Sequence, residues 1–325
     1  MRTKTNPPPL TRGVTTLTDK PTTSNKAGID WLQYSVEWPH EITSWPVLPH
    51  DQGRILRSAL PPCEGLAILG EVVQPLPGYN HGTSATHARL FWHDGRREQH
   101  IGVVMTGDDM RGIIGIAYPQ RELLEWVVMH CKGLSRMDLA IDIHDNGAKP
   151  WDILAAWDDD RMHTPASLVT EINSYTRNGD GSTTVCPTLY VGSRSSERQL
   201  RIYDKAKQMG VDGPWIRVEI QLRHERALNI AKAALQDGIT ETTQAAIRAF
   251  CGVDGVRWWD ESMNGPVVDF EAIGRRDTNT EKWIYESVMP TMKRVIEAQR
   301  IRGENTLLKM LRYMILDMND NMVDN

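Results

Sequence analysis

The sequence predicts an α+β fold, a largely antiparallel sheet with packed helices and a helical C-terminal region. Three observations lead there. Several segments alternate apolar and polar residues with period two. Helical patterns interrupt those segments without the strict strand–helix alternation of a parallel sheet. Gly- and Asp-rich turns join neighbouring strands closely enough for hairpins.

Residues 1–27 are rich in Thr, Pro, Lys and Asn and form an expected disordered tail. Order begins at Gly28, where IDWLQYSVEW alternates as a strand. ATHARLFWHD, REQHIGVVMTG and IIGIAYP continue a β-rich stretch. After Pro119, RELLEWVVMHCKG predicts a helix with Gly133 as its C-cap. A strand at LSRMDLAIDIHD and a helix at PWDILAAWDD follow, with Pro150 suited to the first helical turn. NGDGS marks a hairpin turn ahead of strands at TLYVGS, RQLRIYDKA and WIRVEIQLRHE. Helices resume at ERALNIAKAALQDG and TETTQAAIRAF, and from about Thr278 the chain reads as helical, with breaks near Pro290 and Gly303. The expected organisation is a tail over 1–27, an α+β domain over 28–275 with its core at about 133–227, and a helical region over 276–325. Residues 28–130 either extend the central sheet or form a second one.

Composition narrows the classes. The 325 residues carry 37 Lys and Arg against 42 Asp and Glu, a formal net charge of −5. That balance gives no bulk argument for a nucleic-acid partner, which basic domains hold by neutralising phosphates. The charge is uneven, however: Arg194, Arg198, Arg201, Lys205 and Lys207 cluster together. No apolar run approaches the roughly 20 residues of a membrane span, and the N-terminus lacks the apolar stretch of a secretory signal. A cytoplasmic protein with no membrane contact is expected. Cys63, Cys131, Cys186 and Cys251 are far apart in sequence, with no zinc-type spacing. No GxxxxGK[ST] motif is present, so no P-loop ATPase chemistry is expected.

Three strands each present one chemical face. In SRMDLAIDI the apolar set is Met137, Leu139, Ile141 and Ile143; opposite it stand Arg136, Asp138, Ala140 and Asp142. Two carboxylates flanking a small alanine leave room for a cation, and hard oxygen donors suit Mg²⁺ or Mn²⁺. In WIRVEIQL, Ile216, Val218, Ile220 and Leu222 oppose Trp215, Arg217, Glu219 and Gln221. In RQLRIYDKA, Leu200 and Ile202 oppose Arg201, Tyr203 and Lys205. If these strands are neighbours, one face collects a tyrosine, three acids and several cations, the inventory for phosphodiester transesterification. The same alternation also describes half-solvated strands with ordinary polar outer faces.

RMDLAIDI, TLYVGSRSSERQLRIYDKAKQ and WIRVEIQLRHERA, in that order, resemble the replication initiation factor (Rep_trans-type) proteins of rolling-circle plasmids, phages and integrative elements. The resemblance spans about residues 135–227. It implies a strand-nicking, rejoining enzyme that is metal-dependent and ATP-independent. Tyr203 falls on the nucleophile of the family's R-I-Y-[DN]-K motif, with Tyr190 as the rival. Asp138, Asp142 and Glu219 fall on the metal-binding set, with Mg²⁺ or Mn²⁺ implied, although Asp138 could instead pair with an arginine. Arg194, Arg201, Lys205 and Arg217 are expected phosphate or DNA contacts. The implied partners are origin DNA, single-stranded at the nick, a host helicase and a second copy of the chain. A DNA-binding regulator on the same fold and a metal-dependent nuclease that activates water are the alternatives.

Overall fold

The computed structural model describes residues 26–40, 42, 49–61, 69–93, 100–116, 119–145, 147–177, 179, 181–265 and six positions between 292 and 300. The chain divides into two compact units, Met1–Phe270 and Glu271–Asn325. In the second unit the six described positions are helical. The expected tail over 1–27 lies outside the described residues as far as residue 25, and so does nearly all of the expected helical region over 276–325.

The first unit opens with β1 (Lys26–Glu37), α1 (Pro49–Ala59), β2 (Leu69–Val72), β3 (His81–Ala85), β4 (Ala88–Trp92) and β5 (His100–Met105). Next come α2 (Gly107–Ile116), α3 (Gln120–His130), β6 (Gly133–Ile143), α4 (Pro150–Asp158) and β7 (Met162–His163). A hairpin of β8 (Val169–Arg177) and β9 (Thr183–Val191) leads to β10 (Arg198–Asp204), α5 (Lys205–Met209) and β11 (Ile216–Arg223). The unit closes with α6 (His224–Asp237), α7 (Ile239–Phe250), β12 (Gly252–Val253) and α8 (Arg257–Ser262).

Ten strands form one sheet in the order β2-β3-β4-β5-β1-β6-β11-β10-β9-β8, and its pairs are antiparallel. The α+β expectation therefore holds. Among the described residues of 28–130, strands β1 to β5 extend the central sheet instead of building a second one, because β1 pairs with both β5 and β6. One sheet face is a continuous apolar layer: Met137, Leu139, Ile141, Val218, Ile220, Leu200 and Ile202 are buried together. Helix α6 packs on β6 and β11, and α7 on β1 and β6. Their buried small residues Ala227, Ala231, Ala245 and Ala246 join the same layer and let the helices approach closely.

Two sequence expectations require correction. IIGIAYP does not form a strand, since residues up to Ile116 belong to α2. The Asp109 carboxylate accepts from the Thr106 backbone N–H and hydroxyl, each at 2.8 Å, which caps that helix start. Gly133 is not the cap of α3 either. That helix stops at Cys131 in extended backbone, and Gly133 is the first residue of β6. Among the described residues no helix is long and apolar enough to cross a membrane.

Candidate active site

The face opposite α6 and α7 is polar, and strand register lines its residues up in rows. Residues paired directly across antiparallel strands share a face. One row runs Asp142–Arg217–Tyr203–Thr188 across β6, β11, β10 and β9. The next runs Ala140–Glu219–Arg201–Tyr190, and a third runs Asp138–Gln221–Gln199. The three strands singled out from the sequence are thus adjacent, with β11 inserted between β6 and β10.

Two arginines organise the acids into two nodes. Arg201 donates from Nη2 to Asp138 Oδ2 at 2.9 Å and also to Glu219 Oε1. Asp138, fully buried, is held from its other side by Arg136, whose Nε meets Oδ1 at 2.8 Å and whose Nη2 meets Oδ2 at 2.5 Å. Arg136 in turn lies 4.3 Å from the centre of the Trp31 ring. In the second node Arg217 donates from Nε and Nη2 to the two oxygens of Asp142, both at 2.7 Å, and from Nη1 to Asp30 at 2.7 Å. Trp215 Nε1 adds a 2.7 Å bond to Asp142. Burial lowers the pKa of both arginines, but the carboxylates outweigh it. Glu219 and Asp138 raise the pKa of Arg201, and Asp142 and Asp30 raise that of Arg217.

Tyr203 sits between the nodes, 7% exposed. Its hydroxyl donates to Glu219 Oε2 at 3.5 Å, a long and weak bond. Burial, then the charge of Glu219, push the phenol pKa well up, while Arg217 and Arg201 pull it back. Glu219 itself is held above the usual carboxylate range by burial and by the nearby carboxylates of Asp138 and Asp30, against the pull of Arg201. Lys205, also buried, bonds Gln208 at 2.7 Å, with its ammonium 5.7 Å from the centre of the Tyr203 ring. Tyr190 shares the polar face but pairs with Arg201 and Thr170, one row away from Tyr203. Arg194 is exposed in the turn between β9 and β10. At roughly 3.4 Å per residue, the start of β10 at Arg198 already lies about 17 Å from Tyr203, so this turn does not bring Arg194 to the phenol.

The expected metal set does not converge. Asp138 and Asp142 stand four residues apart on β6, roughly 13 Å between Cα atoms. Each is engaged by a different arginine. Mg²⁺ demands oxygens at about 2.0–2.1 Å in near-octahedral array, so these three acids do not fit one ion as a shared shell. Among the described residues no group of three His, Cys, Asp or Glu side chains is arranged to hold a metal. The pairing of Asp138 with an arginine, one of the two sequence expectations for it, is what the structure contains. Likewise Arg217, an expected phosphate contact, has Nε, Nη1 and Nη2 all engaged by carboxylates.

Asp30 is the residue that sequence reasoning missed. It shares its parity with Leu32, Tyr34 and Val36, which face the core, so alternation assigns it there. A register shift between Ile29 and Trp31 makes Asp30 the extra residue of a β-bulge and turns its carboxylate to the polar face. No local signal in the sequence marks that bulge.

A family model described as replication initiation factor matches residues 133–311, more than half of the chain. No curated protein matches. Among solved structures, the rolling circle replication initiator protein from Geobacillus stearothermophilus superposes with a TM-score of 0.58 at 24% identity. The match covers 75% of this chain and 99% of that one, and it establishes a shared fold.

Proposed function

The chain belongs to the replication initiation factor family, and from that premise we propose that it initiates rolling-circle replication by nicking one strand of its origin DNA with Tyr203. The observation that carries this reading is the setting of Tyr203. The Tyr203 hydroxyl lies within reach of a buried carboxylate, in one row with Arg217 and beside Arg201.

The reaction balances on these residues. Tyr203 Oη attacks the phosphorus and its proton passes to Glu219 Oε2, a carboxylate whose raised proton affinity suits a general base. The new Oη–P bond replaces the P–O3′ bond. The product is a 5′-phosphotyrosyl link and a 3′ oxygen that takes up a proton to become the hydroxyl a polymerase extends. The phosphotyrosyl link conserves the bond for rejoining, so ATP is not consumed. Arg201 lies beside the phenol and Lys205 extends the same face, and both supply positive charge to the phosphate. Arg194 contacts the strand farther along. Mg²⁺ or Mn²⁺ would supply further neutralisation of the phosphate charge, but the acids do not form one shell for it, and no step here depends on it. Origin DNA, single-stranded at the nick, is the substrate. A host helicase and a second copy of the chain are the partners that the family resemblance implies.

The test mixes the protein with labelled single-stranded origin DNA, with and without Mn²⁺, and resolves denaturation-resistant adducts. An adduct that disappears in Tyr203→Phe is expected. An adduct that survives Tyr203→Phe and disappears in Tyr190→Phe moves the chemistry to Tyr190. Cleavage without an adduct indicates a nuclease that activates water, and binding without cleavage indicates a regulator.

A further inference from the structure

We propose that Asp30, carried into the site by the β1 bulge, is a positioning residue for strand nicking: it fixes Arg217 against Tyr203. The proposal rests on Tyr203 as nucleophile. It adds to the site a fourth acid from a strand that lies outside the family-matched residues 133–311.

The geometry supplies the reason. Arg217 pairs directly with Tyr203 across β10 and β11. Asp142 takes its Nε and Nη2, and Asp30 takes the remaining terminal nitrogen, Nη1, at 2.7 Å. A guanidinium gripped by carboxylates at both ends keeps one plane and one rotation beside the phenol. With Asp142 alone, Nη1 has no acidic anchor and the fork can tilt with the Asp142 side chain. Positioning at this scale matters, since a misplacement of about 1 Å in an active site can cost about 100-fold in rate.

The space beside Asp30 at the start of α2 is narrow. A Cβ added at Gly107, the first residue of α2, would stand 2.8 Å from Asp30 Oδ1 and 3.3 Å from its backbone oxygen. Gly107 therefore leaves room for the carboxylate where any larger residue would push it. This makes a second, independent handle on the same atom. Asp30→Ala removes the carboxylate, while Gly107→Ala displaces it and leaves it present.

The experiment measures single-turnover adduct formation on single-stranded origin DNA in Mn²⁺, with DNA affinity and thermal stability in parallel. Full-length wild type, Asp30→Ala, Asp30→Asn, Gly107→Ala and Tyr203→Phe are compared. Asp30→Ala should slow adduct formation by about 10- to 100-fold, with DNA affinity within about twofold. Asp30→Asn keeps an oxygen that accepts from Arg217 Nη1 and should recover part of that loss. Gly107→Ala should slow the reaction and melt somewhat below wild type, because its Cβ presses on the carboxylate that pairs with Arg217; rates are therefore compared at a temperature where every variant is folded. A merely structural role for Asp30 would leave Gly107→Ala at full rate. If Asp30→Ala or Gly107→Ala reacts within twofold of wild type while Tyr203→Phe is silent, the positioning role is overturned and the nucleophile stands. If Tyr203→Phe still forms the adduct, the nucleophile is wrong and the role of Asp30 falls with it.

Discussion

Replacing Asp142 with alanine tests whether the arginine–carboxylate nodes hold this face of the sheet together. The substitution removes three acceptor contacts, each at 2.7 Å: two from Arg217 and one from Trp215. The Arg217 side chain is 9% exposed, so its cation would keep only Asp30 as a partner in a poorly solvated site. Removing one partner of a buried ion pair costs about 3–5 kcal/mol. Asp142 is 24% exposed and Asp30 remains, which places the expected loss near the lower end, about 3 kcal/mol. For a domain of this size each kcal/mol moves Tm by about 2–4 °C, so a fall of about 6–12 °C is expected. Thermal melting by circular dichroism and urea unfolding at pH 7 measure it. The loss should persist in 0.5 M salt (about the upper range of such assays), because screening acts mainly on exposed charges. Adding Arg217→Met should recover part of the stability, since the buried cation left with Asp30 alone is then gone. A loss under about 1 kcal/mol, or one abolished by salt, would refute the claim that this pair is buried and structural.

Three further outcomes follow from the same structure. Tyr203→Phe gives up one 3.5 Å hydroxyl contact and should cost less than about 1 kcal/mol in urea unfolding; a loss above about 2 kcal/mol would make that hydroxyl structural. Gly192, at φ +93°, has the Arg198 carbonyl oxygen 3.1 Å and the Phe250 ring 3.3 Å from the place of a Cβ. Gly192→Ala should therefore destabilise by about 1–3 kcal/mol, and an unchanged urea midpoint would contradict it. Burial pushes the Cys251 thiol up from 9.0 to about 12. At pH 8 it should react with thiol reagents only after unfolding, more slowly than the half-buried Cys131 and Cys186. Because the folded value is the higher one, the stability it contributes is whole below pH 9 and lost as pH rises towards 12. Fast labelling of folded Cys251, or no alkaline loss relative to Cys251→Ala, would count against that burial.

Much of this site follows from period-two alternation. The apolar faces of SRMDLAIDI, RQLRIYDKA and WIRVEIQL correspond to the buried sets in β6, β10 and β11. Their polar faces hold Asp138, Asp142, Arg201, Tyr203, Arg217 and Glu219, because side-chain direction along a strand is a local property. The family motif lies in those same strands. The helix over Gly107–Ile116 was not legible, because its apolar run IIGI has no period of its own and the cap lies upstream, at Thr106 and Asp109.

What the chain alone determined, then, is which residues share a face within each strand and which segment carries the family's motif. Only the tertiary structure decided the neighbours: that β11 separates β6 from β10, and that β1 and its bulge add Asp30. It also decided that the acids divide between two arginine nodes, Asp138 and Glu219 on Arg201 and Asp142 and Asp30 on Arg217, instead of gathering into one cluster. The physical reason is that strand order, register and bulges are set by contacts between residues far apart in sequence. A one-residue shift reverses every side chain beyond it, and alternation within a single strand carries no record of that shift.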